Sequence, residues 1–225
     1  MATCKLCDKS SWLLRVSQDG VCYKCEAIQS QMIGRKVQII RESADLVETG
    51  KTLKTRLGRC DDIIRIASEL IDYEQRGIQT TDPPPSRLID EFRVEKDNIL
   101  IEHAREEVRK TLARAELRTT PRTQITEASK AILKIQDIRK EYGLDVPVLG
   151  ELETNARRFM HRAELQGFLT EAEKAEFKGN KKKALDQYQE ALFFLQRDDI
   201  DDRLQKNQIG DVEAKVRELS EEVGE

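Results

Sequence analysis

The chain has 225 residues, of which 36% are charged and 5% aromatic, with a formal net charge of −3. No run approaches the roughly 18 apolar residues a bilayer span needs. The scarcity of aromatics argues for long helices with solvated faces over a compact aromatic core.

Charge divides unevenly along the chain. Residues 1–60 carry 11 Lys/Arg against 6 Asp/Glu, and residues 61–225 carry 28 against 36. The N-terminal Met1-Ala2-Thr3-Cys4 has no apolar signal region, so the expectation is a cytoplasmic protein. In that reducing compartment paired cysteines are metal ligands rather than disulfides. Two such pairs follow at once, Cys4-Lys5-Leu6-Cys7 and Cys22-Tyr23-Lys24-Cys25, with 14 residues between them. Each Cys-x-x-Cys turn presents two thiolates to one ion, which predicts a tetrahedral four-sulfur site for a structural zinc ion. Iron uses the same ligands. Four thiolates leave no open coordination position for catalysis.

Between the pairs, Trp12, Leu14 and Val16 alternate as in a short strand, and Asp19-Gly20 marks a hairpin turn. The second pair opens a helical pattern, whose N-terminus favours thiolate charge. Trp12 is expected to pack over the knuckle or on the following helix rather than to stack on a base. The order of knuckle, hairpin and cysteine-bearing helix start resembles the zinc-ribbon and treble-clef families, over residues 4–25. The resemblance implies Cys4, Cys7, Cys22 and Cys25 as zinc ligands. Members of those families bind DNA, bind protein or act purely as staples, so it implies Zn2+ and leaves the function open. If the basic end meets nucleic acid, Lys5, Lys9, Arg15, Lys24, Arg35 and Lys36 are the expected phosphate contacts.

Apolar positions Ile28, Met32, Ile33, Val37, Ile40, Ala44 and Val47 alternate by three and four, which predicts an amphipathic helix from Cys25 to Glu48. Thr49-Gly50 ends it. A second helix carries Leu53, Leu57, Cys60, Ile64, Ala67 and Ile71, and the short connection predicts an antiparallel hairpin. Cys60 is expected to be a small core residue. Gly50-Lys51-Thr52 resembles the end of a phosphate loop, but Asp45 stands where that loop needs glycine, so nucleotide binding is rejected. Residues 76–86, with Pro83-Pro84-Pro85, read as a stiff spacer. Ser86 is the expected cap of a helix reaching about Leu117, broken by Arg118-Thr119-Thr120-Pro121. The next helix carries Ile125, Ala128, Ile132, Ile135 and Ile138, and Gly143 stops it.

Leu144–Leu149 reads as an apolar loop, followed by helices at about 150–178, 181–197 and 203–222. Within 164–197, Ala172, Ala175, Gly179, Ala184, Tyr188 and Ala191 take the small and aromatic positions of one repeat. This segment resembles a single tetratricopeptide repeat, with Gly179 in the interhelix turn. Arrays of that family need several repeats to build a peptide groove, and no second copy stands upstream.

Lys181-Lys182-Lys183 is read as a solvated turn and helix start. Asp198, Asp199, Asp201 and Asp202 are read as charge at the last helix N-terminus rather than a calcium loop. His103 and His161 have no neighbour at relay spacing. The expected architecture is mainly α: a zinc ribbon at 1–25, a long helical hairpin at 26–75, a proline-rich linker at 76–86, a helical pair at 87–143 and a tetratricopeptide-like region at 150–222. The expected function is a non-catalytic adaptor or scaffold that docks a partner protein, with self-association possible. A nucleic-acid-binding regulator is the second reading.

Overall fold

The computed structural model describes residues 1–197 and 202–224. The aspartates at 198, 199 and 201 and the side chain of Asp202 lie outside the described residues. The chain is mainly α, with a single two-stranded sheet among the described residues. In chain order the elements are β1 (Ala2–Thr3), β2 (Ser10–Ser11), α1 (Tyr23–Thr49), α2 (Leu53–Ser68), α3 (Ile71–Gln75), α4 (Pro85–Glu116), α5 (Pro121–Tyr142), α6 (Pro147–Phe177), α7 (Lys181–Arg197) and α8 (Asp202–Gly224). Contacts cluster into two compact units, Met1–His103 and Ala104–Glu225, and the division falls within α4.

In the first unit α1 and α2 form the expected hairpin. Its turn is tight for a steric reason: a Cβ on Gly50 would lie 2.5 Å from the Leu46 carbonyl oxygen. Thr52 then caps α2, its hydroxyl accepting from the Thr55 N–H at 3.1 Å, which is the cap such a residue favours. The Gly50-Lys51-Thr52 tripeptide is thus a turn and a cap. Arg56 Nε donates to the Val47 carbonyl at 2.8 Å across the hairpin. The facing sides bury Ile40 and Val47 of α1 and Leu57, Cys60, Ile63 and Ala67 of α2. Burial of this kind stabilises by about 1.5–3 kcal/mol per large aliphatic side chain. Burial, followed by the charges of Glu95 and Asp61, pushes the Cys60 thiol up to about 11, so it stays neutral in this core.

The second helix ends earlier than its periodicity predicts. The helix stops at Ser68, Leu70 turns inward with no exposed surface, and α3 restarts at Ile71. Residues 76–86, expected to be a spacer, lie inside the first unit, with Ile78 and Pro85 buried. The segment holds a cis Asp82-Pro83 bond. Helix α4 begins at Pro85, one residue before the expected cap. A proline is tolerated there because the first helical N–H has no partner in any case. Ser86 instead gives its N–H and its hydroxyl to the Glu74 carboxylate, at 2.8 and 2.6 Å. Lys96 of α4 pairs with Asp61 of α2 at 2.6 Å.

In the second unit α5 packs on α6, α6 on α7 and α7 on α8. Thr120 caps α5, accepting from the Thr123 N–H at 3.3 Å, and Pro121 takes the first helical position. Pro147 does the same for α6, so the second half of the expected Leu144–Leu149 loop is helical. Between α6 and α7, Gly179 adopts φ +73°, a left-handed conformation that suits glycine. Asn180 donates from its N–H to the Ala175 carbonyl at 2.9 Å to close the turn. Ala172, Ala175, Ala184, Tyr188, Ala191 and Leu195 are buried together with Val212 and Leu219 of α8. Glu176 ties the three helices, accepting from Tyr188 Oη at 3.1 Å and from Lys215 Nζ at 3.0 Å. His161 stacks on Phe194 with ring centroids 4.7 Å apart. Lys181–Lys183 are exposed at the start of α7.

Candidate metal centre

The first 22 residues fold around sulfur. Between Cys4 and Cys7 the chain turns sharply: the Cys4 N–H donates to the Lys9 carbonyl at 3.0 Å, and the Asp8 N–H to the Cys4 carbonyl at 2.9 Å. That return pairs Thr3 with Ser10 and Ala2 with Ser11, which makes β1 and β2. The strand expected over Trp12–Val16 does not form. Ser11 Oγ accepts from the Leu13 N–H at 3.2 Å, and the Leu14 N–H reaches the Ser11 carbonyl at 3.3 Å. A serine hydroxyl competing for a local amide favours a turn over a ladder. What remains of the expected hairpin is one bridge, Val16 with Cys22, closed by the turn through Gly20.

Cys22 is the N-cap of α1 and Cys25 lies in its first turn. This geometry brings the four sulfurs of Cys4, Cys7, Cys22 and Cys25 within 4.8 Å of one another. Cys7 and Cys22 Sγ stand 3.9 Å apart. Tetrahedral thiolates at the usual zinc–sulfur distance would stand about 3.8 Å apart. All five cysteines of the chain are free thiols.

The electrostatics agree with a site built for a cation. The Cys22 N–H at the helix start donates to Cys4 Sγ at 3.3 Å, and that bond chiefly holds the Cys4 thiol down at about 6. Cys25 is pushed up to about 12, first by hydrogen bonding with the Cys22 sulfur and then with that of Cys7. One thiolate is stabilised locally. Further thiolates in the same few ångströms repel one another unless a positive ion lies among them. The donor set fits a metal ion.

The centre has a cover that sequence spacing does not reveal. Ile78 is buried against Cys4, Val21 and Cys22, with Leu6, Leu14 and Tyr73 around them. Lys5 Nζ donates to the Gly77 carbonyl at 2.8 Å, and Arg76 Nη1 to the Lys5 carbonyl at 3.0 Å. Tyr73 Oη donates to Gln29 Oε1 on α1. The only sequence signal is Ile78 itself, a lone aliphatic between Gly77 and a polar loop. Trp12, expected to pack here, is 81% exposed. The small core is already filled by Val21 and Ile78. Beside the module, α1 and residues 78–80 border a groove of about 690 Å³ lined by Val21, Ile33, Val37, Ile78 and Thr80.

Two of the six basic candidates are engaged by neighbouring groups. Lys5 is engaged with Gly77, and Lys36 pairs with Glu69 at 3.0 Å. Lys9, Arg15, Lys24 and Arg35 are exposed and make no ion pair among the described residues. Arg35 stands ten residues beyond Cys25, about 15 Å along the helix. No described helix is long and apolar enough to cross a membrane. Comparison with protein-family models, with curated proteins and with solved structures finds no match for this chain.

Proposed function

We propose that the chain is a non-catalytic adaptor, stapled at its N-terminus by a structural zinc ion, that docks a partner protein through helical surface. The observation that carries this reading is on α1. Ile28, Met32, Ile39 and Leu46 are 65%, 52%, 43% and 38% exposed along one side of that helix. Contiguous apolar surface left in water is characteristic of a docking face. Zinc is favoured over iron because closed four-cysteine sites of this spacing serve zinc as structural staples. The α6–α7 hairpin has the small and aromatic packing of a tetratricopeptide-like unit, and a single unit of that kind stiffens a scaffold rather than grooving a peptide.

The test is elemental analysis of the purified chain together with its binding. One zinc per chain and a colourless spectrum are expected. Cys4→Ser combined with Cys22→Ser should abolish the metal, and retained stoichiometric zinc would sink the assignment. For a protein that co-purifies specifically, Met32→Ser with Leu46→Ser should weaken its binding, and unchanged binding overturns the adaptor reading.

A second reading, a nucleic-acid-binding regulator, is favoured by one observation: Trp12 and Tyr23 are 81% and 80% exposed on a module that also exposes Lys9, Arg15 and Lys24. Exposed aromatics beside cations suit base stacking with phosphate contact. Such binding falls steeply with salt. Affinity for single-stranded nucleic acid that ignores both salt and Lys24→Ala would remove this reading.

A further inference from the structure

We propose that α1 is the interface of an antiparallel homodimer whose two-fold axis passes beside Ile39. This rests on the reading that the apolar side of α1 is a docking face, and names its occupant as a second copy of the chain.

Met32, Ile39 and Leu46 recur every seven residues, so at 100° per residue they fall on one nearly straight ridge. All three are exposed, and Ile28 lies close to the same line. The side of α1 that packs on α2 is a different one: Ile40, Ser43 and Val47 are buried there, about a quarter-turn round. The ridge is therefore spare after the hairpin has formed.

What identifies the occupant is symmetry. Two charges, Arg35 and Glu42, also seven residues apart, flank the ridge on its other edge. An antiparallel two-fold at Ile39 sets each residue against the one equally far on the other side of position 39. Ile39 then meets the partner's Ile39, and Met32 meets the partner's Leu46. Arg35 falls within one residue, about 1.5 Å of rise, of the partner's Glu42. The reciprocal pair forms at the same time, so the dimer gains two ion pairs flanking its apolar contacts. A parallel two-fold would instead carry Arg35 and Glu42 of the two helices to opposite edges of the contact, so neither ion pair would form. The charges thus select one orientation as well as one partner.

Both charges are available. Arg35 makes no ion pair among the described residues, and the contact shown for the Glu42 carboxylate is with the neutral Gln38 amide at 2.9 Å. The stretch from Ile28 to Leu46 is about 27 Å long. One helix face of that length is smaller than a standard stable interface, so a reversible dimer of roughly micromolar affinity is expected.

The experiment is analytical ultracentrifugation of the full, metal-loaded chain across a dilution series, with far-UV circular dichroism to confirm that each variant keeps its helices. A concentration-dependent dimer is expected. Ile39→Asp, which acts on both sides of the axis at once, should leave a monomer. Arg35→Glu alone and Glu42→Arg alone should each weaken dimerisation about tenfold, since each sets like charges together twice. The double exchange Arg35→Glu with Glu42→Arg should restore it. A wild-type monomer at every concentration overturns the proposal, as does a dimer that the single exchanges weaken and the double exchange fails to rescue. If the wild type is monomeric and Ile39→Asp still abolishes binding of a different, purified protein, the homodimer fails while the adaptor reading stands.

Discussion

Replacing Ile78 by alanine tests whether the cover and the metal centre are one folding unit. The side chain is 6% exposed and rests on Cys4, Val21 and Cys22. Removing a buried isoleucine down to alanine costs about 2–5 kcal/mol in a well-packed core. The cluster here is small and its rim is half-buried, so the site can partly collapse, and about 2 kcal/mol is the appropriate figure. Metal affinity at a site that exists only in the folded state includes the folding free energy. A loss of about 2 kcal/mol should therefore weaken metal binding by about 30-fold. Ile78→Val, worth about 1 kcal/mol, should weaken it about fivefold. The assay is zinc transfer to a chromogenic chelator at fixed pH, read as an apparent dissociation constant for each variant. Ile138→Ala, an equally buried change in the other unit, should destabilise that unit and leave zinc transfer alone. Zinc affinity of Ile78→Ala within twofold of wild type would refute the coupling.

Two further outcomes follow from the geometry. Glu127 is buried among Lys130 at 2.7 Å, Arg118 at 3.4 Å and Arg114 at 3.8 Å, and its carboxyl is held below the ordinary 4.5, first by Lys130. A depressed carboxyl contributes stability that is present above the unfolded value and is lost as pH falls through the folded one. The melting temperature should therefore drop as pH falls below about 4.5. Glu127→Gln should lower it at neutral pH and flatten that drop, and an acid limb of unchanged slope would contradict the ion-pair account. In the hairpin, Gly58 is exposed with nothing within 4 Å of a built Cβ, so Gly58→Ala should stabilise by about 0.5–1 kcal/mol. Gly50→Ala, which would press a methyl onto the Leu46 carbonyl oxygen, should destabilise. Urea titrations that move both the same way would be inconsistent with this steric difference.

The features legible in the sequence were local ones. Four cysteines in two tight pairs reveal a sulfur cluster because the spacing within each pair is itself the geometry. The helices of α1 and α5 follow from apolar spacings of three and four that packing leaves unchanged. Long-range features were opaque. Ile78 reaches Cys4 across more than seventy residues, and nothing in a proline-rich polar stretch reports that contact. Leu70 sits in phase with the α2 pattern, so the break before it is invisible to periodicity and arises because the chain turns inward at that residue. Trp12 illustrates the opposite failure. A large aromatic near a small core is expected to fill it, yet the aliphatics Val21 and Ile78 already do.

The placement of Cys22 and Cys25 has a consequence for α1 as a polymer. The N-cap residue of this 27-residue helix makes no side-chain capping hydrogen bond. Starting a helix is the unfavourable step, with a nucleation constant of about 10⁻³, or about 4 kcal/mol. An ion gripping the cap residue and a residue of the first turn holds that turn in its helical geometry before any later residue joins. Loss of such an ion would release that turn, and fraying from that end would reach Ile28 well before Leu46. Metal occupancy would then be read out as helix length, with the exposed side of α1 shortened from one end rather than switched off.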